Sequence, residues 1–122
     1  MNSLAKDLLE QSIVKYKNYI DKFQEIKGST ITQQYFDENF PIGKRYCALC
    51  HEFNNHRILI LNELSLCFGC PVYEKTKTQF CENTPFDKIF NMCDILDDLV
   101  IDDNLINSFT DELNFLISLR DN

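Results

Sequence analysis

Two cysteine pairs constrain this chain more than any other feature of its sequence. Cys47-Ala48-Leu49-Cys50 and Cys67-Phe68-Gly69-Cys70 both read C-x2-C, with positions 51–66 between them. That spacing suits a pair of zinc knuckles. Each C-x2-C turn holds two thiolates side by side, and two turns joined by a hairpin complete a tetrahedral S4 site with Zn–S distances of about 2.3 Å. Four thiolates leave the metal no open position. The expected Zn2+ is therefore structural, with Cys47, Cys50, Cys67 and Cys70 as ligands, and its binding helps to fold a segment with little core of its own.

Other chemistries fit less well. Cys47 to His51 reads C-x2-C-H, the haem-attachment pattern, but the second pair has Pro71 where a histidine would stand. A redox pair would open a helix behind a strand, which neither pair does. An H-N-H nuclease needs a histidine beyond the second pair, and the two histidines, His51 and His56, both precede it. An iron–sulfur cluster ranks behind zinc: Cys70-Pro71 has the ferredoxin ending, without the closely spaced run of cysteines. Cys81, further along from Cys70, is either a reserve ligand or a buried thiol. Cys93 falls on an apolar stripe and is expected in the core.

The rest of the chain reads as helix. Leu9, Ile13, Tyr16, Ile20 and Phe23 recur at spacings of 4, 3, 4 and 3, which predicts an amphipathic helix over 3–27 ended by Gly28. Its heptad-like seam suits either a core or a dimer. Residues 30–43 predict a short helical turn closed by Pro41, with Tyr35, Phe36 and Phe40 stapling the first helix to the cysteine module. Thr84-Pro85 with Asp87 marks a helix start, followed at helical spacing by Phe86, Ile89/Phe90, Cys93, Leu96 and Leu99/Val100. Asp102-Asp103-Asn104 marks a break or new cap, and a last helix carries Leu105, Ile106, Phe109, Leu113, Leu116 and Ile117. The expected fold is a single mainly α domain, with a small α+β arrangement as the variant. Residues 1–28 form an N-terminal helix, 44–83 an inserted zinc knuckle or ribbon-like β-hairpin, and 84–120 the C-terminal helices. The 122 residues suffice for one modest core.

Charge is unevenly spread. The net is −7, yet residues 40–81 carry +2 and residues 82–122 carry −8. The acidic third offers Asp94, Asp97, Asp98, Asp102 and Asp103, with Asp111 and Glu112, as a partner-binding surface that imitates phosphate spacing. Such residues are equally what an ordinary solvated helix face contains. The basic middle offers Lys44, Arg45, Arg57, Lys75 and Lys77, with Tyr46, Phe53 and Tyr73, for phosphate contact and base stacking. The start of the chain lacks the apolar stretch of a signal peptide, and no run approaches the length of a membrane span. A cytoplasmic setting follows, in which cysteines more often bind metal than form disulfides.

From Tyr46 to Phe90 the chain resembles small zinc-binding proteins common in bacteriophage genomes. The shared features are Cys47/Cys50, Cys67/Cys70-Pro71-Val72, Cys81 and Pro85-Phe86. The usual glycine before the fifth cysteine is Phe80 here. The resemblance implies a phage or mobile-element origin and a structural metal, and it brings no catalytic residue. Two functions follow as expectations. The first is a non-enzymatic, zinc-stabilised interaction domain, an acidic inhibitor or adaptor acting on a host or viral protein that handles nucleic acid. The second is a nucleic-acid-binding regulator working through its basic zinc module. An enzyme built on Cys81 or His51 ranks third.

Overall fold

The computed structural model describes residues 3–42, 84–93 and 98–121. Four helices and a two-stranded antiparallel sheet make up these residues, so the described body is mainly α. None of the described helices is long and apolar enough to cross a membrane. The zinc knuckle expected over 44–83 lies outside the described residues.

Helix α1 spans Ser3–Glu25 and buries Leu9, Ile13, Tyr16 and Phe23, four of the five stripe positions. Ala5 and Ser12 complete the buried face, small side chains that let a neighbouring helix approach closely. That neighbour is α4, Asp103–Arg120, which buries Leu105, Ile106, Phe109, Leu116 and Leu119. The two helices form the principal contact of the fold. The heptad-like seam is thus occupied within the chain, and a dimer would need another face.

Gly28 ends the first helix as its sequence predicts. Its φ of +92° is a left-handed conformation that side chains resist, and no atom lies within 4 Å of where a Cβ would sit. The backbone then turns into strand β1, Thr30–Ile31, which pairs with β2, Leu99–Val100, in the register Thr30↔Val100 and Ile31↔Leu99. Two flanking bonds extend the ladder: the Gly28 N–H donates to the Ile101 carbonyl at 2.8 Å, and the Ile101 N–H to the Ser29 carbonyl at 2.9 Å.

This sheet corrects the sequence reading twice. Leu99 and Val100 do not continue a helical stripe, and Thr30-Ile31 precede the short helix and are not part of it. The physical reason is alternation. Leu99 is 6% exposed and Val100 52%, so the side chains point to opposite sides as a strand requires. Helix α3, Pro85–Cys93, has already ended, and Leu96 lies outside the described residues.

Helix α2, Gln33–Asn39, is the short helix expected before Pro41. Thr32 caps it, its Oγ1 accepting the Tyr35 N–H at 3.0 Å. Phe40 leaves the helical region at φ −131°, consistent with the restriction that a following proline imposes. Asp102 caps α4 in the same manner, Oδ1 accepting the Leu105 N–H at 2.9 Å. In α3 the Thr84 carbonyl accepts the Asp87 N–H at 3.0 Å, and Ile89 and Cys93 are buried in the core shared with α4.

The core holds several aromatic rings on its α1 side. Phe109 stands 4.9 Å from Phe23, edge to face, and 5.8 Å from Tyr16. Phe40 stands 4.5 Å from Phe23 and 5.3 Å from Tyr19. Each fully buried ring contributes about 1.5–3 kcal/mol relative to exposure, and edge-to-face pairs add about 0.5–1.5 kcal/mol. Phe36 and Phe40 therefore staple α2 to α1, whereas Tyr35 remains exposed.

Candidate functional site

The candidate metal ligands Cys47, Cys50, Cys67, Cys70 and Cys81 lie outside the described residues, as do His51, His56, Lys44, Arg45, Arg57, Lys75 and Lys77. What the structure defines is the pair of junctions between which they are held. The chain leaves the helical body through Phe40-Pro41-Ile42 and returns at Thr84-Pro85. At the first junction the buried Phe40 ring anchors the backbone, and the Tyr19 hydroxyl donates to the Pro41 carbonyl at 2.9 Å. Burial pushes the Tyr19 hydroxyl up to about 12, so it remains a donor. At the second junction Thr84 is buried, and its carbonyl closes the first turn of α3.

Both junctions belong to one core. Phe36 and Phe40 from α2, and Ile89 and Cys93 from α3, enter the same apolar cluster as the faces of α1 and α4. Residues on either side of 43–83 thus contribute to the same core. Tyr19 is a positioning residue that the sequence does not advertise. It lies one place before the stripe residue Ile20, and only its bond to Pro41 reveals its role.

Cys93 is in the core, as its place on the apolar stripe predicts. Burial, and secondarily the nearby Asp37 carboxylate, push its thiol up to about 12. A thiol so placed is held protonated and is a poor nucleophile or ligand. The expected zinc ligands are the other five cysteines, the four thiols of the two C-x2-C pairs with Cys81 in reserve, and they lie outside the described residues. Among the described residues, no group of three or more His, Cys, Asp or Glu is arranged to hold a metal.

The acidic third divides into different roles. Asp94 and Asp97 lie outside the described residues. Asp98 is exposed. Asp102 commits its carboxylate to the α4 cap, and Asp103 pairs with Lys27, just past the end of α1, at 2.6 Å. Asp111 is exposed, but Glu112 is 4% exposed on the core side of α4. Glu112 therefore leaves the expected acidic surface, because helical spacing from Ser108 and Phe109 turns it inward with them. The described body is still strongly acidic, with thirteen carboxylates against seven cations, a net of −6.

No protein-family model, curated protein or solved structure matches this chain.

Proposed function

We propose that the chain is a non-enzymatic, zinc-stabilised interaction domain, in which an acidic helical body carries an inserted zinc module and engages a host or viral protein that handles nucleic acid. What supports this reading is that both C-x2-C pairs fall, in sequence, between Ile42 and Thr84, and that the residues flanking this stretch, Phe40 and Ile89, belong to one core. A closed thiolate site between such flanks is suited to holding shape, not to turning over a substrate. Zn2+ at Cys47, Cys50, Cys67 and Cys70 would supply cross-linking without chemistry.

The charge of the body sets the kind of partner. With a net of −6 over the described residues, it repels a phosphate backbone and attracts the cationic channel that would bind one. Exposed Asp98 and Asp111, with Asp94 and Asp97, are the residues we assign to that contact. An inhibitor or adaptor of phage type, acting in the host cytoplasm, fits this combination.

Two measurements test the reading. Metal analysis of the purified chain is expected to find one zinc, lost in both Cys47→Ser and Cys67→Ser. One zinc retained in both variants would sink the S4 assignment. A tagged pull-down from bacterial lysate, run with and without nuclease, is expected to retain a nucleic-acid-handling protein that added DNA displaces. Retention of nucleic acid itself would instead favour the regulator working through Lys44, Arg45, Arg57, Lys75 and Lys77.

A further inference from the structure

Strand β2 has a second side. In an antiparallel ladder, residues alternate between those whose N–H and C=O face the partner strand and those whose N–H and C=O face away from it. The Ile101 N–H donates to the Ser29 carbonyl, and the Ile101 carbonyl accepts the Gly28 N–H, so Ile101 faces β1. Val100, its neighbour, therefore directs its N–H and C=O to the opposite side of β2. Among the described residues the sheet has two strands, and no third lies on that side. Side chains alternate along the same stretch: Leu99 and Ile101 are buried, whereas Asp98, Val100 and Asp102 are exposed. Thr30, the partner of Val100 across the ladder, shares the exposed face. The result is a short strand edge with a β-branched apolar side chain at its centre and a carboxylate two residues to either side.

We propose that this edge, Asp98 to Asp102, receives an extended basic segment of the partner protein as an added antiparallel strand. The inference deepens the proposed function and rests on it for the class of partner. An edge strand offers its outward N–H and C=O groups as a template for another chain. In strand addition the main-chain bonds supply affinity, and pockets for alternate side chains supply selection. An apolar residue of the added strand, set opposite Val100, covers it, and a Lys or Arg two places along meets Asp98. Opposite charges across a strand pair attract, and like charges directly opposite repel. The same rule selects against a second copy. Antiparallel pairing of two such edges about Val100 sets Asp98 of each copy against Asp102 of the other, and Asp102 takes part although its Oδ1 caps α4. A phosphate backbone is repelled by the same carboxylates. What remains is a protein strand that reads basic, apolar, basic at alternate positions.

Amide NMR of the full chain, titrated with the blocked peptide Thr-Arg-Thr-Val-Thr-Arg-Thr, tests the edge. In the proposed register the peptide valine stands opposite Val100 and one arginine opposite Asp98. The Val100 amide is expected to shift and to exchange more slowly with solvent. The same peptide N-methylated at its valine keeps every charge and side chain but loses the N–H that pairs with the Val100 carbonyl. It is expected to bind about tenfold more weakly. Val100→Lys, a change at an exposed position, is expected to weaken the unmethylated peptide by a similar factor and to leave the thermal melt unchanged. Equal binding of the two peptides overturns the proposal, because it reduces the contact to charge attraction, and so does an unshifted Val100 amide. The lysate pull-down repeated with Val100→Lys keeps this inference apart from the reading beneath it. A chain that takes the peptide at Val100 but retains no nucleic-acid-handling protein keeps the edge and loses the partner class. Retention of such a protein by the parent and by Val100→Lys alike keeps the partner class and loses the edge.

Discussion

Phe109 offers a direct test of how the helical body is held together. It is fully buried on α4, with Phe23 at 4.9 Å, Tyr16 at 5.8 Å and Tyr19 at 6.4 Å around it. Phe109→Ala removes the ring and leaves a cavity between α1 and α4, a change that costs about 3–5 kcal/mol. Phe109→Leu keeps most of the apolar burial and loses the aromatic contacts. Counting the two closer rings fully, at about 0.5–1 kcal/mol each, gives a cost of about 1–2 kcal/mol. Domains of this size are stable by about 5–15 kcal/mol, so the alanine variant removes a large share. Urea unfolding followed by circular dichroism at 222 nm is the assay. With a slope of about 1.5 kcal/mol/M, the midpoint is expected to fall by about 2–3 M for alanine and about 1 M for leucine. Leu4→Ala, at an exposed position on α1, serves as the control and is expected to stay within about 0.5 kcal/mol of the parent. Equal losses for the two Phe109 variants, both below about 1 kcal/mol, would refute the packing of α1 on α4 through this ring.

Two further predictions separate structural from surface roles. The Cys93 thiol ionises at about 12 in the folded chain against an ordinary 9, so its stabilising contribution is complete below about pH 9 and is lost as pH rises from there towards 12. Thermal melts of Cys93→Ala between pH 8 and 11 should therefore decline less steeply than those of the parent, and parallel curves would contradict burial of the thiol near Asp37. Asp102→Ala should cost about 1 kcal/mol through the lost α4 cap, whereas Asp103→Ala, which breaks an exposed ion pair with Lys27, should cost about 0.2–0.5 kcal/mol after solvent screening. A reversed order in urea unfolding would return Asp102 to the partner-facing surface.

Where the sequence was informative, local chemistry decided the structure. The stripe of α1, the left-handed Gly28, the Thr84-Pro85 start and the Asp102 cap each depend on neighbours within a few residues, and each appears at or near its expected place. The failures depend on partners far away in sequence. Leu99-Val100 adopts an extended form because its pairing partner is Thr30-Ile31, in the first third of the chain, and a strand this short is too brief to show alternation in the sequence. Glu112 reads as surface because carboxylates usually are, and its burial follows only from how α4 is rotated against α1. Of the candidate site, the ligand set rests on spacing alone. The Tyr19–Pro41 bond that pins its entrance joins residues 22 apart, and no motif signals it.

The partnership of α1 with α4 also has a consequence for biosynthesis. The apolar face of α1 is complete once residue 25 has been made, but its cover from α4 arrives only with residues 103–120. At roughly 5–20 residues per second, that interval lasts on the order of 5–20 seconds, during which Leu9, Ile13 and Phe23 have no native cover from α4. Both C-x2-C pairs leave the ribosome within the same interval. Contacts this distant slow folding relative to a bundle of sequential neighbours. The apolar face of α1 therefore depends for its native cover on residues made much later, which makes α4 the helix that completes the core between them.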